Sequence, residues 1–152
     1  MEKYQESLVR ARRSLKTAEH MTFVSYPMLN EKRLLLKILE ELADSLISSI
    51  NAVLQFDHIK NKTRIYGNAQ ENFQLFKRIS GAYGLSETET KKIEEILSIA
   101  EKHKKSSFEF VKNDTIVIMA DGFATEAITI DKIRKFFIET RMIFEKFGSK
   151  II

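Results

Sequence analysis

Arg13 and His20 lie seven positions apart. If the segment between them is helical, that is nearly two turns, and both side chains project from one side about 10 Å apart along the axis. An arginine that stabilises a phosphorane charge beside a histidine that moves a proton would suit metal-free cleavage of RNA. The same pair also reads as a solvated arginine and a boundary histidine. That plainer reading outweighs the first, because arginine is common in this stretch and the spacing window is loose. Around the pair lies a basic set, Arg10, Arg12, Arg13 and Lys16, with a second basic stretch at Lys60, Lys62 and Arg64. Together they could track a nucleic-acid backbone with steep salt dependence. Neither stretch interleaves aromatics with its basic residues, as stacking on single strands would require.

His103 continues an apolar stripe (Ile93, Ile96, Ala100) inside the run Lys102-His103-Lys104-Lys105. It reads either as part of a phosphate grip or, with more weight, as a core-edge residue among lysines that complement a helix C-terminus. His58 sits in a basic loop and reads as solvated. No HxxxH or HxH pair supplies two metal ligands from one element, and with no cysteine in the chain no thiolate site can form, so neither metal nor cofactor is expected. No GxGxxG, P-loop or GxSxG sequence occurs.

Five helices should position these residues. The first runs from about Glu2 to Val24 on the stripe Tyr4, Leu8, Ala11, Leu15, Ala18 and Thr22, and Pro27 should end it. The second, about Asn30 to Phe56 with Asn30 as N-cap, carries an apolar face broad enough for neighbours on several sides and should be the spine. A polar loop is expected over Asp57–Thr63. A third helix follows from about Tyr66 to Tyr83, closed by Gly81 or Gly84. The fourth begins at the capping box Ser86-Glu87-Thr88-Glu89 and ends near Lys105. The fifth, capped by Thr129, runs to about Phe147.

Between the fourth and fifth helices the apolar period changes from about 3.6 to 2. Three strands are predicted there, about Phe108–Lys112, Thr115–Ala120 and Phe123–Thr129, joined at Asn113-Asp114 and Asp121-Gly122. With two-residue loops at both turns, Phe108, Phe110, Val117, Met119 and Ile128 share one face, and Val111, Ile116, Ile118, Phe123 and Ala127 the other. Both faces are apolar, so one needs a cover other than the bundle face beneath it, from helix five or from another subunit. The fold class is thus mainly α: an up-and-down five-helix bundle with a three-stranded antiparallel meander at about 108–129, all within one domain spanning 1–152.

Composition agrees with a globular chain: 152 residues, 43% hydrophobic, 30% charged, net charge +4. That length can bury roughly 70% of the unfolded surface. The amino terminus lacks the apolar stretch of a signal peptide, and no apolar run approaches the ~20 residues of a spanning helix. A cytoplasmic protein with no membrane partner is expected.

Leu8–Met21, LVRARRSLKTAEHM, resembles the opening helix of HEPN domains, small all-helical modules, and the long second helix at Asn30–Phe56 follows as in that family. The family's enzymes are metal-free ribonucleases that act as dimers, with an Arg-x4–6-His motif on a late helix. Here no histidine follows Arg64, Arg78, Arg134 or Arg141 at that distance. Arg13 and His20 are the matching pair, and they lie on the first helix. The resemblance implies a HEPN-like member without the usual nuclease centre, acting by binding or pairing. The sequence therefore favours a self-associating, non-enzymatic interaction module, a homodimer or a partner of another protein. An RNA-binding or ribonuclease-type protein is the alternative. A small-molecule pocket among Phe73, Phe76, Phe136 and Phe137 ranks last, because phenylalanines at helical spacing usually form core.

Overall fold

The computed structural model describes residues 1–120 and 124–151. Helix α1 comprises Lys3–His20, a π turn at Met21–Ser25 and a last α turn at Tyr26–Leu29. Helix α2 is Leu34–Asn61; α3 is Ala69–Ile79, tightening into a 3₁₀ turn at Ser80–Tyr83; α4 is Glu87–Lys105. Strands β1 (Phe108–Lys112), β2 (Thr115–Met119) and β3 (Thr125–Ile128) form an antiparallel sheet in the order β1-β2-β3, and α5 is Ile130–Ile151. The expected architecture, a helical bundle with a meander between the fourth and fifth helices, is the one observed.

Helix α2 is the spine, packed against α1, α4 and α5. At 28 residues it is about 42 Å long. Helix α1 lies antiparallel along it. Ala11 and Ala18 are fully buried, and the hydroxyl of Ser45 donates to the carbonyl of Ala11 at 2.9 Å. A side chain can reach a neighbouring helix's backbone only where small residues let the two approach closely. Near the other end of the seam Ser7 donates to Gln55 Oε1 at 2.9 Å, and Tyr4 sets its ring edge-on to Phe56.

Several local expectations are corrected. Pro27 does not end α1. The N–H of Tyr26 reaches back five residues to the carbonyl of Met21. This wider turn opens the backbone where proline would otherwise clash with the carbonyl four residues back. The helix ends at Asn30, in the left-handed region at φ 49°, so Asn30 is the C-cap of α1 and not the N-cap of α2. Helix α2 continues past Phe56 to Asn61, which leaves only Lys62 and Thr63 of the expected 57–63 loop outside it. Helix α3 starts at Ala69, because the Asn68 side chain accepts from the N–H of Glu71 and fixes the start there. The capping box at Ser86 and the Thr129 cap of α5 form as expected. So does the stop at Gly84, whose φ of 88° suits glycine.

In the sheet the first hairpin matches: Lys112 pairs with Thr115 across Asn113-Asp114, with Asn113 at φ 55°. The second hairpin is one residue longer than expected. Ala120 donates to the carbonyl of Ala124 at 2.7 Å, and Ile128 pairs with Ile116 and Ala127 with Val117. A one-residue slip exchanges the faces of a strand. Ile128 therefore joins Ile116 and Ile118 on the inner face, all fully buried, and Ala127 joins Phe108, Phe110, Val117 and Met119 outside. The expected roles of Asp121, Gly122 and Phe123 fall outside the described residues. Strand β2 packs on α4. The outer face is half-buried to exposed, with Phe108 59% exposed and its ring 5.5 Å from that of Phe110.

Candidate functional site

Arg13 and His20 are both exposed on α1. With Arg12, Lys16, Val9, Thr17 and Met21 they line one shallow recess of about 550 Å³ that has no carboxylate in its wall. Arg12 also leans on α5, its guanidinium 5.8 Å from the centre of the Phe144 ring. On the other flank of α1, Arg10 and Arg13 border a groove shared with Glu6, Glu41 and Asp44. The pKa of Glu41 is raised, first by burial and then by the charges of Asp44 and Glu40, against a hydrogen bond from Ser14. The basic set is thus basic on one flank and faces acids on the other.

The second basic stretch does not join the first. Lys60 lies 5.7 Å from the centre of the Phe56 ring and Arg64 5.1 Å from that of Tyr66, so each cation rests on an aromatic of its own segment. The spacing Phe56-x3-Lys60, one helical turn, was the sequence signal for the first of these. Lys62 is the left-handed C-cap of α2, and His58 Nδ1 donates to the Thr63 carbonyl at 2.5 Å. Beneath them Asp57 is buried and accepts from Asn61 and Tyr83, each at 2.7 Å, and from the Thr63 hydroxyl. Burial alone would raise its pKa, but these hydrogen bonds outweigh it and hold the carboxyl low. The same carboxylate, added to burial, pushes the Tyr83 hydroxyl up. This network ties the end of α2 to the 3₁₀ turn.

His103 is the most fully engaged ionisable group among these candidates. Its Nε2 lies 2.8 Å from Oε1 of Glu40 on α2, and its Nδ1 lies 2.5 Å from Oε2 of Glu109 on β1. A neutral imidazole has one N–H and can donate to only one of the two; the protonated ring donates to both. Burial works against the charge, but the bonds to Glu109 and Glu40 and the attraction of both carboxylates prevail, so its pKa is raised. His103 thus sits half-buried at the edge of the core, where it bridges three elements. Glu109, six residues beyond it, was within reach of sequence reasoning. Glu40, 63 residues away, left no local signal.

Beside this bridge runs a groove of about 760 Å³ between α2, α3 and α4, floored by Ala43, Ile47, Ile50, Phe73, Leu97 and Ala100. Of the four phenylalanines considered for a pocket only Phe73 reaches it; Phe76, Phe136 and Phe137 are buried in the core. Among the described residues no three His, Asp or Glu side chains are placed to hold a metal ion. No described helix is long and apolar enough to cross a membrane. Both nitrogens of the His103 ring are engaged by carboxylates, so the arrangement ties α4 to α2 and β1. No family model matches the chain, and a search of characterised proteins finds no significant match.

Proposed function

We propose that this chain is a non-enzymatic helical module that self-associates as a homodimer through the outer face of its meander. The observation that carries the reading is the row Phe108, Phe110, Val117 and Met119. These apolar side chains lie on the face turned away from the buried Ile116, Ile118 and Ile128. Such a face suits an isologous interface, in which the same patch of a second copy supplies the cover. The resemblance of Leu8–Met21 to the opening helix of HEPN domains, without their late-helix nuclease motif, is in keeping with action by pairing. Light scattering at high micromolar concentration should give a dimer mass for the native chain and a monomer mass for Phe108→Ser. A native monomer at that concentration would overturn the proposal.

A second reading, RNA binding with or without cleavage, is favoured by one observation: the acid-free recess that gathers Arg12, Arg13, Lys16 and His20. It requires affinity for single-stranded RNA to fall steeply with salt. Cleavage would also have to disappear in Arg13→Ala and His20→Ala. It stands second because Glu6, Glu41 and Asp44 face the adjoining flank of the same helix.

A further inference from the structure

The meander is tied to the bundle at its two edges by different chemistry. At β3, Glu126 accepts from Lys132 of α5 at 3.0 Å and meets Lys102 of α4 at 3.4 Å. Burial opposes the charge of Glu126, but the two lysines overcome it and hold its pKa low. Lysine keeps its proton throughout the neutral range, so this tie is constant there. At β1 the tie is Glu109–His103–Glu40, centred on the residue type whose charge changes near neutrality.

The surroundings of His103 leave the ring as the switching element. From α2 it faces Glu40, which has Lys37 at 3.8 Å, and Asp44 lines the adjoining groove. From β1 it faces Glu109. On its own helix Lys102 is engaged by Glu126, Glu101 pairs with Lys105 at 3.1 Å, and Lys104 borders the groove. At the hairpin tip, remote from the ring, Asp114 lies 3.9 Å from Lys32.

We propose that His103 is a proton-operated clamp on β1: the protonated ring holds Glu109 to Glu40 and fixes that edge of the sheet, and loss of the proton frees one carboxylate, loosens β1 and weakens pairing through the outer face. Only the last step rests on the self-association reading. A histidine whose folded pKa is raised gives its full stabilisation below the unfolded value, about 6.5, and loses it as pH rises through the folded value. The clamp is therefore closed in mild acid and opens toward alkaline pH. β3, held by lysines, supplies the internal control.

The test is amide hydrogen exchange from about pH 6 to about pH 9, corrected for the intrinsic base-catalysed rate, with the His103 ring titration followed by NMR and sedimentation run in parallel. Protection of the β2-bonded amides of β1 (residues 108–112) should fall with rising pH, by at most about tenfold per pH unit, the limit for one proton. Protection in β3 (residues 125–128) should not fall. Glu109→Gln, which keeps the histidine, should abolish the difference between the strands and lower the pH at which the ring titrates. His103→Gln should make β1 insensitive to pH, and Glu109→Gln still decides the matter if that variant does not fold. A β1 edge that follows β3 at every pH overturns the clamp whatever the oligomeric state. A native monomer whose β1 still responds to pH overturns self-association and supports the clamp. A dimer that persists undiminished while β1 loosens overturns the coupling between them.

Discussion

Along the centre of the seam of α1 and α2, contact is made by groups with no charge to lose: Ala11 and Ala18, both fully buried, Leu15, and a serine hydroxyl on a backbone carbonyl, with the Glu41 carboxyl reaching Ser14 at the margin. At the junction of meander and bundle, His103, Lys102 and Lys132 reach to Glu40, Glu109 and Glu126 across the edges of a small buried patch of isoleucines. The seam is held by close approach, which depends on shape and little on solution conditions. The junction is held partly by charge, which depends on pH and salt. One molecule thus contains a permanent contact and an adjustable one, and the adjustable one carries the exposed apolar face.

The largest expected effect tests the seam. Ala11→Leu has no space to occupy at a fully buried position and should cost about 3 kcal/mol, the upper end for overpacking, seen as a lower urea midpoint by the same amount at every pH. Asp57→Ala should cost about 2 kcal/mol by leaving the Tyr83, Asn61 and Thr63 donors without their acceptor. Because the Asp57 carboxyl is held low, its contribution is present above the unfolded value of about 3.9 and is lost as pH falls through the folded value. Acid denaturation of the variant should lose that component. At the junction, Glu126→Gln should cost under about 1 kcal/mol and the cost should shrink in high salt, unlike that of Ala11→Leu. The smallest effect is that of His103→Gln: under about 1 kcal/mol in mild acid and nothing once pH has passed through the raised pKa of the native ring. A pH-dependent cost at Ala11, or a pH-independent one at His103, would remove the contrast between the two regions.

What could be read from the sequence divides along a similar line. The Ser86 capping box, the Thr129 cap, the Asn113-Asp114 turn and the Gly84 stop are settled by residues within a few positions of one another, and all four stand where local chemistry puts them. The stripe of α1 was legible because periodicity needs only one helix. The errors came where distant groups decide. Asn30 suits either end of a helix, and the π turn before it made it an end. Asp57 looked like loop because its buried partner Tyr83 is 26 residues away. The second hairpin's register depended on which of two apolar sets the bundle would bury. For the candidate site, the basic residues of α1 were found and four of those candidates do share a recess, but the 60–64 stretch stays apart from them. The bridge at His103 was missed because half of it lies on another helix.

The π turn in α1 has one more effect. Counting inward positions along that helix gives Ala11, Leu15, Ala18 and Thr22, and the regular rhythm of threes and fours would next fall on Ser25. The turn delays the count by one residue, so the next inward position is Tyr26, which is buried, while Ser25 lies at the margin. The helix thereby delivers an aromatic ring where an unbroken period would have delivered a hydroxymethyl group, and Lys32 Nζ sits 5.4 Å from the centre of that ring. A slip of one in phase turns a polar helix end into a plug for the end of the core.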